Sequence, residues 1–167
     1  MESAVAYQIA IPWPTHPLRT PTGRPARNKM AGKLLPWLSA NIVHALNNPY
    51  RRPGAGAAPP ISRVHRYKAH WRELACAIAR TAEASEYPGT LPIPYPVLIE
   101  VRLYRNPANE MDQGGLIEGA KPLIDGLVLA GLLQGDGPKF VTYDPRGAVY
   151  RTPKGTQRVE LLLRPRS

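Results

Sequence analysis

The chain has 167 residues, a length typical of one domain. Its 22 Lys and Arg outnumber 12 Asp and Glu, and the formal net charge of +10 attracts polyanions, of which nucleic acid is the commonest. The single cysteine, Cys76, excludes an internal disulfide and a cysteine-based zinc site, and no apolar run reaches the roughly 18 residues of a membrane span.

Two further points follow from the composition and the N-terminal sequence. The first residues lack the charged start and long apolar run of a signal peptide, so we expect a cytoplasmic protein with no membrane partner. Charge also serves solubility, so a basic protein without a nucleic-acid partner stays open as an alternative.

A short strand and a basic segment are predicted at the start of the chain. Residues 7–11 fit a strand that Pro12-Trp13-Pro14 ends, because proline donates no ladder hydrogen bond. Residues 15–33 carry basic side chains among prolines and glycines, which fits either a flap on DNA phosphates or a solvated linker. The candidate DNA contacts here are Arg19, Arg24, Arg27 and Lys29.

Two helices are predicted next. Leu34 to Asn48 fits a short helix, and the Pro/Gly/Ala-rich residues 49–62 fit a loop. Trp71 to Ala82 has the apolar spacing of an amphipathic helix. Basic side chains gather at its start, either to meet DNA or as a solvated face: Arg63, Arg66, Lys68 and Arg72. We interpret the chain as one domain over 1–167 with a basic Pro/Gly-rich insert at about 19–60.

The second half of the sequence is predicted to form the regular core. Val97 to Arg105 alternates as a strand, and an almost wholly apolar helix should begin near Ala120 to Pro122, since proline is tolerated in a first helical turn. Further strands are expected at 140–143, 148–151 and 157–163, with a β-turn at 144–147. The pattern indicates an α/β protein of the α+β type, with a small mixed sheet and helices packed on it. The apolar helix also suggests burial by a second subunit.

Acidic residues cluster between this strand and the end of this helix. Glu110 and Asp112 share one face of an extended segment, and Asp136 lies on a tight turn after the helix. Mg²⁺ takes carboxylate oxygens together with phosphate, and a cation such as Lys121 stabilises a phosphate in reaction. In a basic protein this set suggests a metal-dependent site for phosphodiester hydrolysis, although acidic pairs in loops more often cap helices or face solvent.

The order of these motifs resembles the RusA family of Holliday junction resolvases. The resemblance rests on Ile9 to Pro14, the acid-x-Asp pair, Lys121, Asp125-Gly-Leu and Ala130-Gly-Leu-Leu, followed by Asp136. It implies a small homodimeric endodeoxyribonuclease, typical of phages, that uses Mg²⁺ (with Mn²⁺ as a substitute) to nick four-way DNA junctions in recombination and repair. It also implies that Glu110, Asp112 and Asp136 bind the metal and that Lys121 assists catalysis.

The chain departs from the family pattern in three ways. Glu110 replaces an aspartate, the segment 113–119 is longer than usual, and Gly135 stands where a second acid is expected. A helix from Pro122 to Leu133 spans about 18 Å, whereas metal ligands converge to about 2.1 Å from one ion. Either the glycine-rich segment folds back along the helix, or Asp136 meets Glu110 and Asp112 of a second subunit, which we favour.

Other functions remain open at the level of the sequence. A non-catalytic protein on the same scaffold would bind branched DNA without cutting it, and a less selective metal nuclease would also cut flaps and forks. RNA binding is disfavoured, because a chain with one phenylalanine shows no aromatic stacking platform.

Overall fold

The computed structural model describes residues 7–15, 33–38, 60–81, 91–106, 108 and 110–166. Within these residues the chain forms one mixed sheet and two helices, which confirms the predicted α+β architecture in outline. The elements are β1 (Tyr7–Pro12), α1 (Pro60–Ala79), β2 (Val97–Arg105), α2 (Gln113–Leu129), β3 (Val141–Tyr143), β4 (Ala148–Arg151) and β5 (Arg158–Pro165).

The sheet has the order β1-β5-β2-β3, and β4 also pairs with β2. β5 is antiparallel to both of its neighbours, whereas β3 and β4 run parallel to β2 at successive positions along one edge. The predicted turn at 144–147 is present, but it interrupts this edge rather than reversing the chain. Gly147 is required there, since a Cβ would lie 2.9 Å from the carbonyl oxygen of Val101.

One face of the sheet and the two helices enclose the apolar core. The alternate residues Val97, Ile99, Val101 and Leu103 of β2 are all buried, as the period of two predicts. β1 and β5 add Ile11 and neighbouring apolar side chains to the same core.

Helix α1 begins at Pro60, eleven residues before the predicted start at Trp71, and ends at Ala79. Proline suits the first turn of a helix, because the backbone N–H groups of that turn have no acceptor within the helix and proline lacks this N–H. The early turns escaped the sequence analysis because they carry mainly polar side chains, with Val64 as their buried anchor. The predicted basic cluster at the helix entrance therefore lies within the helix itself.

Helix α2 begins at Gln113, not near Ala120, so the predicted glycine-rich loop is helical. Asp112 caps it, accepting a hydrogen bond from the backbone N–H of Gly115 at 2.6 Å. Pro122 lies inside the helix, where it removes one backbone donor without ending the helix. Tertiary packing explains this tolerance, because the side chain of Pro122 is buried.

The segment 33–38 is extended against β1 and the helices, contrary to the helix predicted from Leu34 to Asn48. Leu34 bridges Thr15, and the indole N–H of Trp37 donates to the carbonyl of Gly115 at 3.0 Å. Trp37 also packs edge-on to Trp71, with ring centroids 5.4 Å apart. Residues 39–48 of that predicted helix lie outside the described residues.

A candidate acidic site beside the basic helix

The two predicted acids before α2 are both exposed, and one of them already has a structural role. The N-cap bond to Gly115 occupies one oxygen of Asp112. The side-chain amide of Gln113 donates to the carbonyl of Gly147 and ties this end of α2 to the sheet edge. Asp112 is thus fixed in place and has a second oxygen to offer, whereas Glu110 lies exposed in the preceding segment.

Asp136 lies beyond the other end of α2, on a loop that is bonded from several sides. The backbone N–H of Ile93 donates to the carbonyl of Leu132 at 2.9 Å, and the amide of Gln134 donates to the carbonyl of Ile93 at 3.0 Å. The Arg166 guanidinium donates to the carbonyl of Pro138 at 2.8 Å. These bonds hold the loop while leaving the Asp136 carboxylate exposed.

Asp125, which the sequence analysis did not select, lies close enough to Asp136 for their charges to interact. Partial burial, and then the charge of Asp136, raise the pKa of Asp125. Lys121, Arg72 and Lys68 oppose this rise. Lys121 precedes Asp125 by one helical turn, so both side chains lie on the same face of α2. Two carboxylates and three cations therefore share one neighbourhood.

A close approach of the two helices places Arg72 and Lys68 of α1 next to Asp125 of α2. A Cβ on Gly126 would lie 2.4 Å from the carbonyl oxygen of Arg72, so only a glycine allows the backbones to approach so closely. Arg72 follows Lys68 by one turn of α1, and both are exposed on the side of α1 that borders Asp125.

Tyr143 at the end of β3 faces the same pair of acids. Burial raises the pKa of Tyr143, and the charges of Asp125 and Asp136 raise it further. Its phenol therefore stays protonated near neutral pH, as a hydrogen-bond donor next to two carboxylates.

The other predicted basic residues are placed differently. At about 100° per residue, Arg66 lies on the opposite side of α1 from Lys68, so the four cations do not form one patch. Arg63 lies in α1, but its side chain is outside the described part. Arg19, Arg24, Arg27 and Lys29 also fall outside the residues that the structure describes.

The predicted carboxylates do not converge within one chain. Roughly 20 Å of helix separates Asp112 from Asp125 at about 1.5 Å per residue. Among the described residues, no group of three or more His, Cys, Asp or Glu side chains is close enough to hold a metal ion. Because residues 113–119 are helical, they cannot fold back along α2, and the first of the two predicted arrangements is wrong. The shared arrangement stays a hypothesis.

Comparisons with known proteins give no family for this chain. No protein-family model matches it, and neither the curated proteins nor the solved structures include a significant match. In the described part of the chain, neither helix has the length and apolar character needed to cross a membrane.

Of the two functional candidates that the sequence analysis missed, Asp125 and Tyr143, only Asp125 carries a signal in the sequence, and it is weak. Asp125 is a lone acid in an apolar helix, four residues after a lysine, and that spacing favours a shared helix face. Tyr143 has no local signal, since only the parallel pairing of β3 with β2 brings it to the helices.

Proposed function

We propose that this protein is a Mg²⁺-dependent endodeoxyribonuclease, with Mn²⁺ as a substitute, that acts as a homodimer on branched DNA such as four-way junctions. The observation that carries the proposal is that the charges of Asp136, Lys121, Arg72 and Lys68 all act on Asp125. Carboxylates alone would repel DNA, and cations alone would bind it without chemistry. Both together suit a phosphate in reaction.

The cations and the phenol near the two carboxylates would have different roles. Lys68 and Arg72 on α1 would bind the DNA backbone through its phosphates, which makes binding sensitive to salt and largely independent of sequence. Lys121 would stabilise the negative charge that grows on the reacting phosphate. The Tyr143 phenol, held protonated by its surroundings, would donate a hydrogen bond to one of the carboxylates.

The donor set fits a hard divalent cation. Asp125 and Asp136 offer carboxylate oxygens, and their mutual repulsion makes a cation between them favourable. When bound, Mg²⁺ would activate water and neutralise charge on the phosphate. A further carboxylate would complete the donor set, and Glu110 and Asp112 are the candidates from the sequence.

A two-fold dimer would bring these carboxylates together. Asp125 lies on a stripe of α2 that is open to solvent at Glu118, Lys121 and Leu129. If two α2 helices packed antiparallel along this stripe, Asp112 of one subunit would approach the Asp136 loop of the other. A pair of such sites related by two-fold symmetry suits a junction that needs two incisions.

Incubation of the purified protein with a synthetic four-way junction, with and without Mg²⁺, tests the proposal. We expect metal-dependent nicks, and we expect Asp136→Asn to abolish them while junction binding persists. Glu73→Gln, which removes an exposed acid on α1 beside Arg72, is the matched control and should cut normally. A protein that cuts as fast with Asp136→Asn as without it would refute the assignment.

The same experiment separates the two alternatives. The engagement of Asp112 in the helix cap favours a non-catalytic junction-binding protein, which would bind the junction and cut with neither Mg²⁺ nor Mn²⁺. A less selective nuclease would cut flaps and forks at rates similar to those for the four-way junction.

A further inference from the structure

Three planar groups stack in a row across the open face of the sheet, opposite the helices. Tyr104 on β2 pairs in register with Tyr150 on β4 and with Arg158 on β5, so all three side chains stand on one face. The two tyrosine rings are stacked, with centroids 5.1 Å apart and planes 20° apart. The Arg158 guanidinium lies 3.9 Å from the centre of the Tyr104 ring. This corrects the expectation that the chain has no aromatic platform.

Among the residues that the structure describes, the row ends at Tyr150. Tyr104 covers one face of the Tyr150 ring, and among the described strands β4 pairs only with β2, so Tyr150 stands at the sheet edge. Tyr150 is 37% exposed, although Tyr104 stacks on its ring. A further planar group on the exposed part of this ring would extend the stack.

Two partly exposed arginine side chains lie in or next to this row. The side chains of Arg102 and Arg158 are 31% and 37% exposed, and each is held by a carboxylate, Glu100 and Glu160, whose own side chain is buried. The guanidinium groups are therefore fixed in place while they face solvent. A planar ligand that carries negative charge complements such a surface, whereas a neutral or basic peptide does not.

We propose that the outer face of Tyr150 stacks an unpaired DNA base, while Arg102 and Arg158 bind the adjacent phosphates. Base–aromatic stacking tolerates any sequence, and arginine contacts with the backbone add to it. In duplex DNA the bases are already stacked on one another, so this surface selects positions where strands separate. The choice of DNA rests on the proposed function, but the stacking itself needs neither metal nor catalysis.

The test measures binding of the full-length protein to fluorescent DNA in a metal-free buffer. The ligands are a short single-stranded oligo(dA), its RNA counterpart and a blunt duplex. We expect Tyr150→Ala to weaken binding of the single strand roughly 5- to 150-fold, the equivalent of about 1–3 kcal/mol for one stacked base. Binding of the duplex should change less than about twofold, because phosphate contacts dominate it.

Conservative variants distinguish stacking from simple loss of apolar surface. Tyr150→Phe should keep single-strand binding, and Tyr150→Leu should lose it although the side chain stays apolar. Leu91→Ala is the matched control, since it removes an exposed apolar side chain from the segment before β2, away from the row. Thermal melts of each variant establish that it is folded.

Each outcome bears on a distinct claim. Equal single-strand binding by Tyr150→Ala and the unaltered protein would overturn the stacking proposal, as would an equal loss on the duplex. Tighter binding of the RNA than of the DNA would overturn the choice of DNA. Single-strand stacking without junction cleavage would support this proposal and contradict only the nuclease function. Junction cleavage without single-strand binding would support the nuclease function and contradict the stacking proposal.

Discussion

Replacement of Gly119 by alanine tests the helical start of α2, the point on which the structure departs most from the sequence analysis. A Cβ at this position would lie 2.1 Å from the Cε2 and Nε1 atoms of Trp37. Trp37 is 3% exposed and packs against Trp13 and Trp71, so its ring has no free space to move into. The substitution must therefore displace the ring or separate the segment 33–38 from α2.

The size of the effect follows from three contributions. Overpacking in a filled core costs about 1–3 kcal/mol. Displacement of Trp37 breaks its hydrogen bond to the Gly115 carbonyl, at a cost of about 0.5–1.5 kcal/mol. Alanine in place of glycine inside a helix stabilises the helix by about 1 kcal/mol, which offsets part of this cost. We therefore expect Gly119→Ala to lower the free energy of unfolding by about 1–3 kcal/mol, and Tm by roughly 3–10 °C.

Urea denaturation followed by tryptophan fluorescence measures this change, and Gly114→Ala provides the matched control. A Cβ on Gly114 would meet only the Asp112 carboxylate, at 3.6 Å, and the position is exposed. That variant should be unchanged or more stable by up to about 1 kcal/mol, since alanine favours helix. If Gly119→Ala were as stable as the unaltered protein, the contact of Trp37 with a helical Gly119 would be refuted.

Three further predictions concern the helix contact and the charged groups. Gly126→Ala should lower the free energy of unfolding by roughly 1–3 kcal/mol in urea, because its Cβ would meet the α1 backbone; a neutral result would contradict the close packing. Since burial and Asp136 raise the pKa of Asp125, ionisation of Asp125 costs folding stability as pH rises through its folded-state pKa. Asp125→Asn should thus raise Tm near pH 7 by roughly 1–3 °C and leave it unchanged below pH ~4, and melts that show no pH dependence would refute the repulsion. Burial disfavours the charged form of Glu100, but hydrogen bonds from Arg164 and Arg102 outweigh it and lower the pKa of Glu100. The ionised carboxylate therefore stabilises the fold above pH ~4.3, and this stabilisation is lost as pH falls through the folded-state pKa. Glu100→Gln should cost about 3 kcal/mol near neutral pH, and the difference from the unaltered protein should narrow in acid; a constant difference would contradict the ion pair.

The sequence predicted the parts of the fold that depend on local periodicity. The alternation in β2 and in the last strand gave both elements within a residue or two, because one face of each is buried in the core. It failed at the start of α2, where glycines and a proline usually indicate a loop. These residues are helical because Gly119 makes room for Trp37 and Gly126 makes room for α1, contacts that no local pattern reveals.

The buried charges on the open face were also beyond sequence analysis. Glu100 alternates with apolar residues as a solvent-facing side chain should, yet it is 2% exposed. Its burial depends on Arg164, whose guanidinium lies 2.7 Å from one Glu100 oxygen and 3.2 Å from Asp144, residues far apart in the chain. Arg146 pairs with the same aspartate and lowers its pKa.

The candidate site was predicted in part. Lys121 and Asp136 were selected from the sequence, and both lie close to Asp125 in the structure. Asp125 itself was named only within the Asp125-Gly-Leu motif and not as a site residue, because an acid within an apolar helix usually has a structural role. The separation of Asp112 from Asp136 by a helix was predicted, but the helix begins at Gln113 and is longer than its apolar part.

Mixed dimers test most directly whether the carboxylates of two subunits form one nuclease site. Asp112→Asn and Asp136→Asn subunits, each inactive alone, are combined by denaturation and refolding and incubated with a four-way junction and Mg²⁺. A mixture of Asp125→Asn with Asp136→Asn is the control, since both changes affect the same half of the site and should not restore cleavage. We predict that only the first mixture regains nicking, with one cut per junction. A first mixture as inactive as the control would contradict the shared site.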